Sequence, residues 1–348
     1  MPKIAVLTSG GDSPGMNAAV TSVARNAAYY GMPLIGIKRG YNGLLGLSDN
    51  IEDDVFEMNL DTVLDLADLP GTYLRTARCT QFLDPKVREG AAKRLKEMDV
   101  AGLVVIGGDG SFRGAQQLCR LGIPCIGIPG TIDNDLAYTE MTLGYDTAVN
   151  ADMEAVRSIR ATSRSHDRPA LVEVMGRNCG DIALSTAEAT GSEIVIVPEM
   201  PWSVESVAER LNKLIASGNT RATIVVAEGA YASMQPFDVY SYLKPYSGEI
   251  FEGEQMNARL LARTLKYMCH AEVRATVIGY TQRGCQPTAR DCSFAFEAGN
   301  MAVVLLKNGI GNQVIGTRNN RTFHTSIDTA LSETRNFKES LYNLINSL

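Results

Sequence analysis

Short apolar runs alternate along the chain with stretches of helical spacing, and glycine-rich turns mark many of the junctions. Lys3 to Leu7, Pro33 to Lys38, Gly102 to Ile106 and Pro124 to Ile128 read as buried strands. Between them, Ala18 to Tyr30, Pro85 to Glu97 and the segment from Ser111 to Leu121 carry the periodicity of amphipathic helices. Gly144 to Arg164 predicts a long helix. The rhythm then restarts, with strands at Ala170 to Val174, Glu193 to Val197, Ala222 to Ala227 and Val273 to Gly279. Helices are predicted over Asp181 to Ala189, Ser203 to Ile215, Met256 to Met268 and Arg290 to Lys307, a strand over Asn312 to Gly316 and a short helix over Lys338 to Leu348. Tyr231 to Glu254, with Tyr231, Tyr240, Tyr242 and Tyr246 among Pro and Gly, predicts a long loop. Such alternation predicts α/β architecture: two Rossmann-like domains, each an αβα sandwich.

Three strand ends carry glycine together with an acid. Thr8 to Asn17 follows the first strand, Gly107 to Ser111 the third and Pro129 to Asp135 the fourth. A strand, a glycine turn and a helix N-terminus together cradle phosphate, because backbone N–H groups and the helix dipole converge there. The first turn is neither a Walker A loop nor GxGxxG, and a plain tight turn is the competing reading. At the second, an acid would repel phosphate unless a cation lay between, so Asp109 reads as a Mg²⁺ contact. At the third, Asp133 and Asp135 lie two apart. In an extended segment they would point the same way and Asn134 the other. Beside Thr131 they could supply a base and hold a divalent metal, although Asp, Asn and Gly also make ordinary turns. All three ends should meet along one edge of a parallel sheet. Arg75 and Arg78, with Thr72 and Thr76, form a loop suited to phosphate or simply to the surface.

Composition narrows the classes. The 348 residues suffice for two domains of ordinary size. A hydrophobic share of 45%, a charged share of 21% and a net charge of -6 describe a soluble protein with no basic stripe for nucleic acid. No apolar run approaches the roughly 18 residues of a membrane span, and the chain enters its first strand without a leader. The seven cysteines are odd in number and form no CxxC pair, and three histidines do not make up a zinc site. Reduced thiols and a cytoplasmic location are expected.

The runs TSGGDSPGMNAA, GTYLRTAR, VVIGGDGS, IGIPGTIDNDL, LGYDTAVN, RPALVEVMGRNCGD, VVAEG, RATVIGYTQRG and PTARDC follow one another through most of the chain. GGDG alone is weak, but GGDGS with PGTIDND and MGR at this spacing is specific. On these runs the chain resembles the ATP-dependent 6-phosphofructokinase family. The resemblance implies the phosphofructokinase fold. Residues 1–143 plus 284–335 would form a large nucleotide-binding domain, and 144–283 plus 336–348 a smaller sugar-phosphate-binding domain. It implies transfer of the γ-phosphoryl of Mg-ATP to the 1-hydroxyl of fructose 6-phosphate in glycolysis. It also implies a Mg²⁺ cofactor and a homotetramer or homodimer whose sugar sites are shared between subunits.

Carried over by position, Asp133 matches the base, Thr131 a residue beside the transferred phosphoryl group, and Arg177 the cation that steadies its charge. Asp109 and Asp135 match metal contacts, and Gly10, Arg78, Cys79, Gly108, Asp109, Gly110 and Ser111 nucleotide positions. Met175, Gly176, Glu228, Tyr280 and Arg283 match the sugar pocket, while Arg168 and Arg274 match cations that grip the 6-phosphate from a neighbouring subunit. Tyr280 stands where the family usually has His, which opens a related ketose phosphate such as tagatose 6-phosphate as an alternative. A non-catalytic regulatory subunit of the same fold is a second alternative. Pyrophosphate-using relatives carry Asp at the position of Gly110 and Lys at that of Gly130, so ATP is the expected donor. Thr21 and Asn219-Thr220 replace basic effector-site residues, so weak effector control is expected.

Overall fold

A computed structural model describes residues 2–47, 54–246 and 252–347. It divides into two compact units, Met1–Ala148 with Arg283–Asn336 and Val149–Gln282 with Phe337–Leu348. In chain order the strands are β1 (Lys3–Ser9), β2 (Leu34–Ile37), β3 (Val55–Glu57), β4 (Val100–Gly107), β5 (Cys125–Pro129), β6 (Ala170–Val174), β7 (Ile194–Ile196), β8 (Thr223–Ala227), β9 (Arg274–Val277), β10 (Gln313–Arg318) and β11 (Arg321–Ser326).

The first unit holds a sheet of order β11-β10-β5-β4-β1-β2-β3. Its five central strands run parallel, and β3 and β11 close the edges antiparallel. Residues of β4 alternate between two cores. Val104 and Ile106 face a layer built with the helices Met16–Tyr29 and Ala289–Lys307. Leu103 and Val105 face a second layer with Phe112, Leu118 and Leu95 from the helices Asp109–Arg120 and Pro85–Glu97. Burial on both faces is why this strand reads as an unbroken apolar run. Each such side chain contributes about 1.5–3 kcal/mol.

The second unit holds a parallel sheet of order β7-β8-β6-β9. The helix Asp181–Thr190 packs on β7 and β8, and Ala258–Cys269 on β6 and β9. At the β7 edge, Asn346 acts as one more strand residue. Its amide accepts from the Val195 N–H and donates to the Val195 carbonyl, both at 3.1 Å.

Three expectations need correction. The parallel pattern missed both antiparallel edge strands, because β3 is three residues long and β11 is largely polar and half-exposed. The stretch 231–254 is not wholly a loop. A 3₁₀ turn covers Glu228–Ser233 and a helix Val239–Leu243, and Val239 and Leu243 pack with Leu260; residues 247–251 lie outside the described chain. Asp133 and Asp135 do not alternate as in a strand. Asn134 has φ 51°, a left-handed conformation that reverses the chain between them. Asp133 is therefore buried and Asp135 exposed.

The helix Tyr145–His166 begins against the start of Ala289–Lys307. The buried Asp291 carboxylate accepts from the Gly144 N–H (2.8 Å), the Thr147 N–H (2.9 Å) and the Thr147 hydroxyl (2.5 Å). In return, Thr288 donates its hydroxyl to Asp146 (2.7 Å). Burial pushes the Asp291 carboxyl up to about 6, against the pull of the donors from Thr147 and Gly144. Asp291→Ala strands two backbone donors in an apolar setting and should cost about 2–4 kcal/mol, read as a lowered melting temperature.

Candidate active site

The first sheet reverses its order between β1 and β4, since the chain builds outward to β2 on one side and to β5 on the other. Ligands of open α/β sheets bind outside the carboxyl ends of the strands at such a reversal. The turns that follow β1, β4 and β5 lie there side by side. Ser9 pairs with Gly107, and Gly107 with Pro129. The Ser111 hydroxyl donates to the Ser9 carbonyl (3.2 Å), and the Gly130 N–H to the Gly107 carbonyl (3.0 Å). A β-carbon on Gly107 would stand 2.5 Å from the Ser9 carbonyl oxygen, so only glycine fits.

Gly10, at φ 96°, donates its N–H to Ala77, and its own carbonyl accepts from the Thr76 hydroxyl. The Thr8 hydroxyl reaches the Arg75 carbonyl at 2.7 Å. These bonds stitch the Arg–Thr loop to the first glycine turn and carry Arg78 and Cys79 with it; Arg78 is exposed and Cys79 half-buried. Asp109 opens its helix. Its carboxylate accepts from Arg113 Nε at 2.9 Å, one turn further along. Gly110 faces open space, with no atom within 4 Å of a β-carbon placed on it.

The third turn folds on itself. Thr131 Oγ1 accepts from the Asp133 N–H (3.2 Å), and Asn134 Oδ1 from the Thr142 N–H (3.0 Å). Asp133 is 3% exposed. Arg283 approaches its Oδ1 at 3.8 Å and donates at 2.6 Å to the Asp12 carbonyl in the first glycine turn. A buried carboxylate is costly without a partner cation, and Arg283 supplies one.

In the second unit, the carboxyl ends of β6, β8 and β9 lie together. Met175, Gly176 and Arg177 follow β6, Glu228 follows β8, and Tyr280 follows β9. The Arg177 N–H donates to Glu228 Oε1 (2.9 Å), and Arg177 has φ 50°. A β-carbon on Gly229 would lie 1.8 Å from the Arg177 carbonyl oxygen, so these two turns touch backbone to backbone. Tyr280 is 83% exposed. Arg274 pairs with Glu272 at 2.7 Å, and so does Lys266. The cations Lys266, Arg274 and Arg168 together hold the Glu272 carboxyl below its ordinary range. Arg168 and Arg274 thus share one surface cluster, and Lys266, which sequence reading did not single out, belongs to it.

Sequence reading also missed Asp152 and Gln282, both fully buried. Nothing but distance in the chain separates them from recognition. Gln282 Nε2 donates to Asp152 Oδ2 (2.8 Å), and Gln282 Oε1 accepts from the Met175 N–H (2.9 Å). Burial pushes the Asp152 carboxyl up to about 8, with donors from Gln282 and Thr186 pulling it back. Burial likewise raises Glu173, eased by the Tyr231 hydroxyl at 2.8 Å and reinforced by the charge of Glu228. Of the residues matched to effector contacts, Thr21 donates to the Val63 carbonyl (2.7 Å), Asn219 to Glu193 (2.9 Å) and Thr220 to Asp167 (2.5 Å). All seven cysteines are free thiols.

The family model described as Phosphofructokinase matches residues 3–306. The chain is 44% identical to "ATP-dependent 6-phosphofructokinase 1" of Clostridium perfringens (strain 13 / Type A), over 100% of this chain and 99% of the relative. Among solved structures it is similar to phosphofructokinase from Saccharomyces cerevisiae (TM-score 0.79, 30% identity), covering 95% of this chain but only 45% of the yeast chain. It is also similar to a pyrophosphate-dependent phosphofructokinase from Marinobacter aquaeolei (TM-score 0.79, 20% identity; 98% and 86% covered). At that identity the last likeness speaks for the fold alone.

An acid whose folded pKa is raised is stabilising when protonated, so the contribution of Asp152 is full below about pH 4 and is lost as pH rises through about 8. Asp152→Asn keeps the acceptor for Gln282 and does not ionise. Its melting temperature should therefore gain on the parent between pH 5 and pH 8.5 by calorimetry, the gap widening with pH.

Proposed function

This chain belongs to the phosphofructokinase family, and on that premise we propose that it is an ATP-dependent 6-phosphofructokinase. It moves the γ-phosphoryl of ATP to the 1-hydroxyl of fructose 6-phosphate and releases ADP and fructose 1,6-bisphosphate. The observation that carries this reading is the junction of three glycine turns at the order reversal of the first sheet, with buried Asp133 among them.

Phosphoryl transfer asks for positioning and charge neutralisation more than for covalent chemistry. In this reading the first unit binds the nucleotide. Gly10, Gly108, Gly110 and Ser111 shape the turns that receive the phosphates, and Arg78 and Cys79 flank them. Asp133 takes the proton of the sugar hydroxyl as its oxygen bonds to phosphorus, with Thr131 beside the transferred group. The second unit binds the sugar phosphate through Met175, Gly176, Glu228 and Tyr280, and Arg283 acts with them. Arg177 steadies charge on the moving phosphoryl group. Arg168 and Arg274 hold a 6-phosphate belonging to a second copy of the chain, which makes the enzyme a homo-oligomer. Their planar guanidinium forks suit a phosphate dianion.

Asp109 and Asp135 offer hard carboxylate oxygens at accessible positions, a donor chemistry that fits Mg²⁺. The ion would neutralise phosphate charge when bound, and Arg113 would give up its hold on Asp109. Among the described residues no helix is long and apolar enough to cross a membrane; a cytoplasmic enzyme is the reading we adopt.

ATP rather than pyrophosphate follows from Gly110. Space around it is open, whereas a β-carbon on Gly130 would meet Met16 at 2.9 Å and Ile106 at 3.0 Å. A carboxylate at 110 would sit where an α-phosphate must pass.

A coupled assay of purified protein with Mg²⁺, crossing ATP and pyrophosphate with several hexose phosphates, tests the whole reading. Activity with ATP should favour fructose 6-phosphate over tagatose 6-phosphate by about tenfold or more in kcat/KM; the reverse order would move the substrate to another ketose phosphate. No turnover at all would make the chain a binding subunit. Asp133→Asn should lower kcat by about 10²–10⁴-fold with KM little changed. Gly110→Asp should fold with an unchanged melting temperature and lose about a hundredfold in kcat/KM for ATP.

A further inference from the structure

The turn Met175–Arg177 is not held by regular structure. Gly176 has φ 139° and Arg177 φ 50°. Its two outer N–H groups are instead taken by side chains from neighbouring strand ends: Arg177 N–H by Glu228 Oε1, and Met175 N–H by Gln282 Oε1. Glu228 stands directly in the expected sugar site. Gln282 does not, because it is wholly buried. It nonetheless lies between Tyr280 and Arg283 in the chain.

The geometry of its amide leaves one arrangement. A backbone N–H only donates, so the amide oxygen faces Met175 and the NH₂ faces away. That NH₂ ends on Asp152 Oδ2, on the helix Tyr145–His166. Asp152 presents an acceptor oxygen to it whether ionised or protonated. One helix residue therefore fixes an amide, and the amide fixes the turn that carries Arg177 to the segment that carries Tyr280. Removing the amide would strand the Met175 N–H and a buried Asp152 oxygen.

We propose that Gln282, oriented by Asp152, is a positioning residue that sets the Met175–Arg177 turn against the Tyr280–Gln282 segment and thereby governs how tightly the sugar phosphate is held. The assignment of that edge to the sugar phosphate comes from the functional reading above. The link itself is independent of it.

The test uses the full-length protein and three variants, Gln282→Met, Asp152→Leu and Asp152→Asn, each checked for folding by circular dichroism. Gln282→Met keeps volume but breaks the link, and Asp152→Leu breaks it from the other end, so the outcome does not hang on one variant folding. Both should raise the KM for fructose 6-phosphate about tenfold and leave the KM for ATP within about twofold. Asp152→Asn, which keeps the acceptor, should restore both constants to near parent values. A parent-like sugar KM in Gln282→Met overturns the proposal. So does an equal shift in both KM values, or an Asp152→Asn as impaired as Asp152→Leu. Amide exchange at Met175 gives a readout that needs no turnover. It should quicken in Gln282→Met, and unchanged exchange overturns the link. A parent protein inactive on every hexose phosphate with quickened exchange in the variant would instead sink the functional reading and leave the link standing.

Discussion

Backbone-to-backbone contact between neighbouring strand ends is the constraint on which the molecule depends. At the carboxyl edge of the first sheet, Ser9, Gly107 and Gly130 approach so closely that no side chain fits at residue 107. The second unit meets the same demand differently, with Gly229 lying against the Arg177 carbonyl. In each case glycine does not merely loosen a turn. It removes the atoms that would hold two turns apart, so that groups brought from distant parts of the chain stand side by side.

Legibility in the sequence followed from how local the cause was. β4 could be read because burial on both faces leaves it nothing but apolar residues. The glycine turns could be read because strand, glycine and helix follow one another within a few positions. β3 and β11 could not, since an edge strand half in water has no strong pattern. The alternation expected of Asp133 and Asp135 failed on one residue. Asn134 visits the left-handed region at small cost, and its side chain then ties down Thr142 and Glu140. Nothing in its neighbours announces that choice.

Long-range polar links were the least legible part. Asp152 looks like any acid on a helix, and Gln282 like any amide beside a basic residue. Only the fold sets them 2.8 Å apart across 130 positions. Arg283 was matched to a sugar pocket by its motif, yet its place between Asp133 and the first glycine turn emerges only when the segment Arg283–Asn336 returns to the first sheet.

That return has a consequence for biosynthesis. The second unit is almost a continuous insert, whereas the first lacks β10 and the helix Ala289–Lys307 until nearly the whole polypeptide has been made. Phe294, Ala298 and Val303 from that helix fill one of its two cores. While the chain emerges, apolar residues of Met16–Tyr29 and one side of β5 must wait without their final neighbours. The nascent protein thus passes through a stage in which most of the second unit can be in place while the first is still open, and shielding by a chaperone would matter most there.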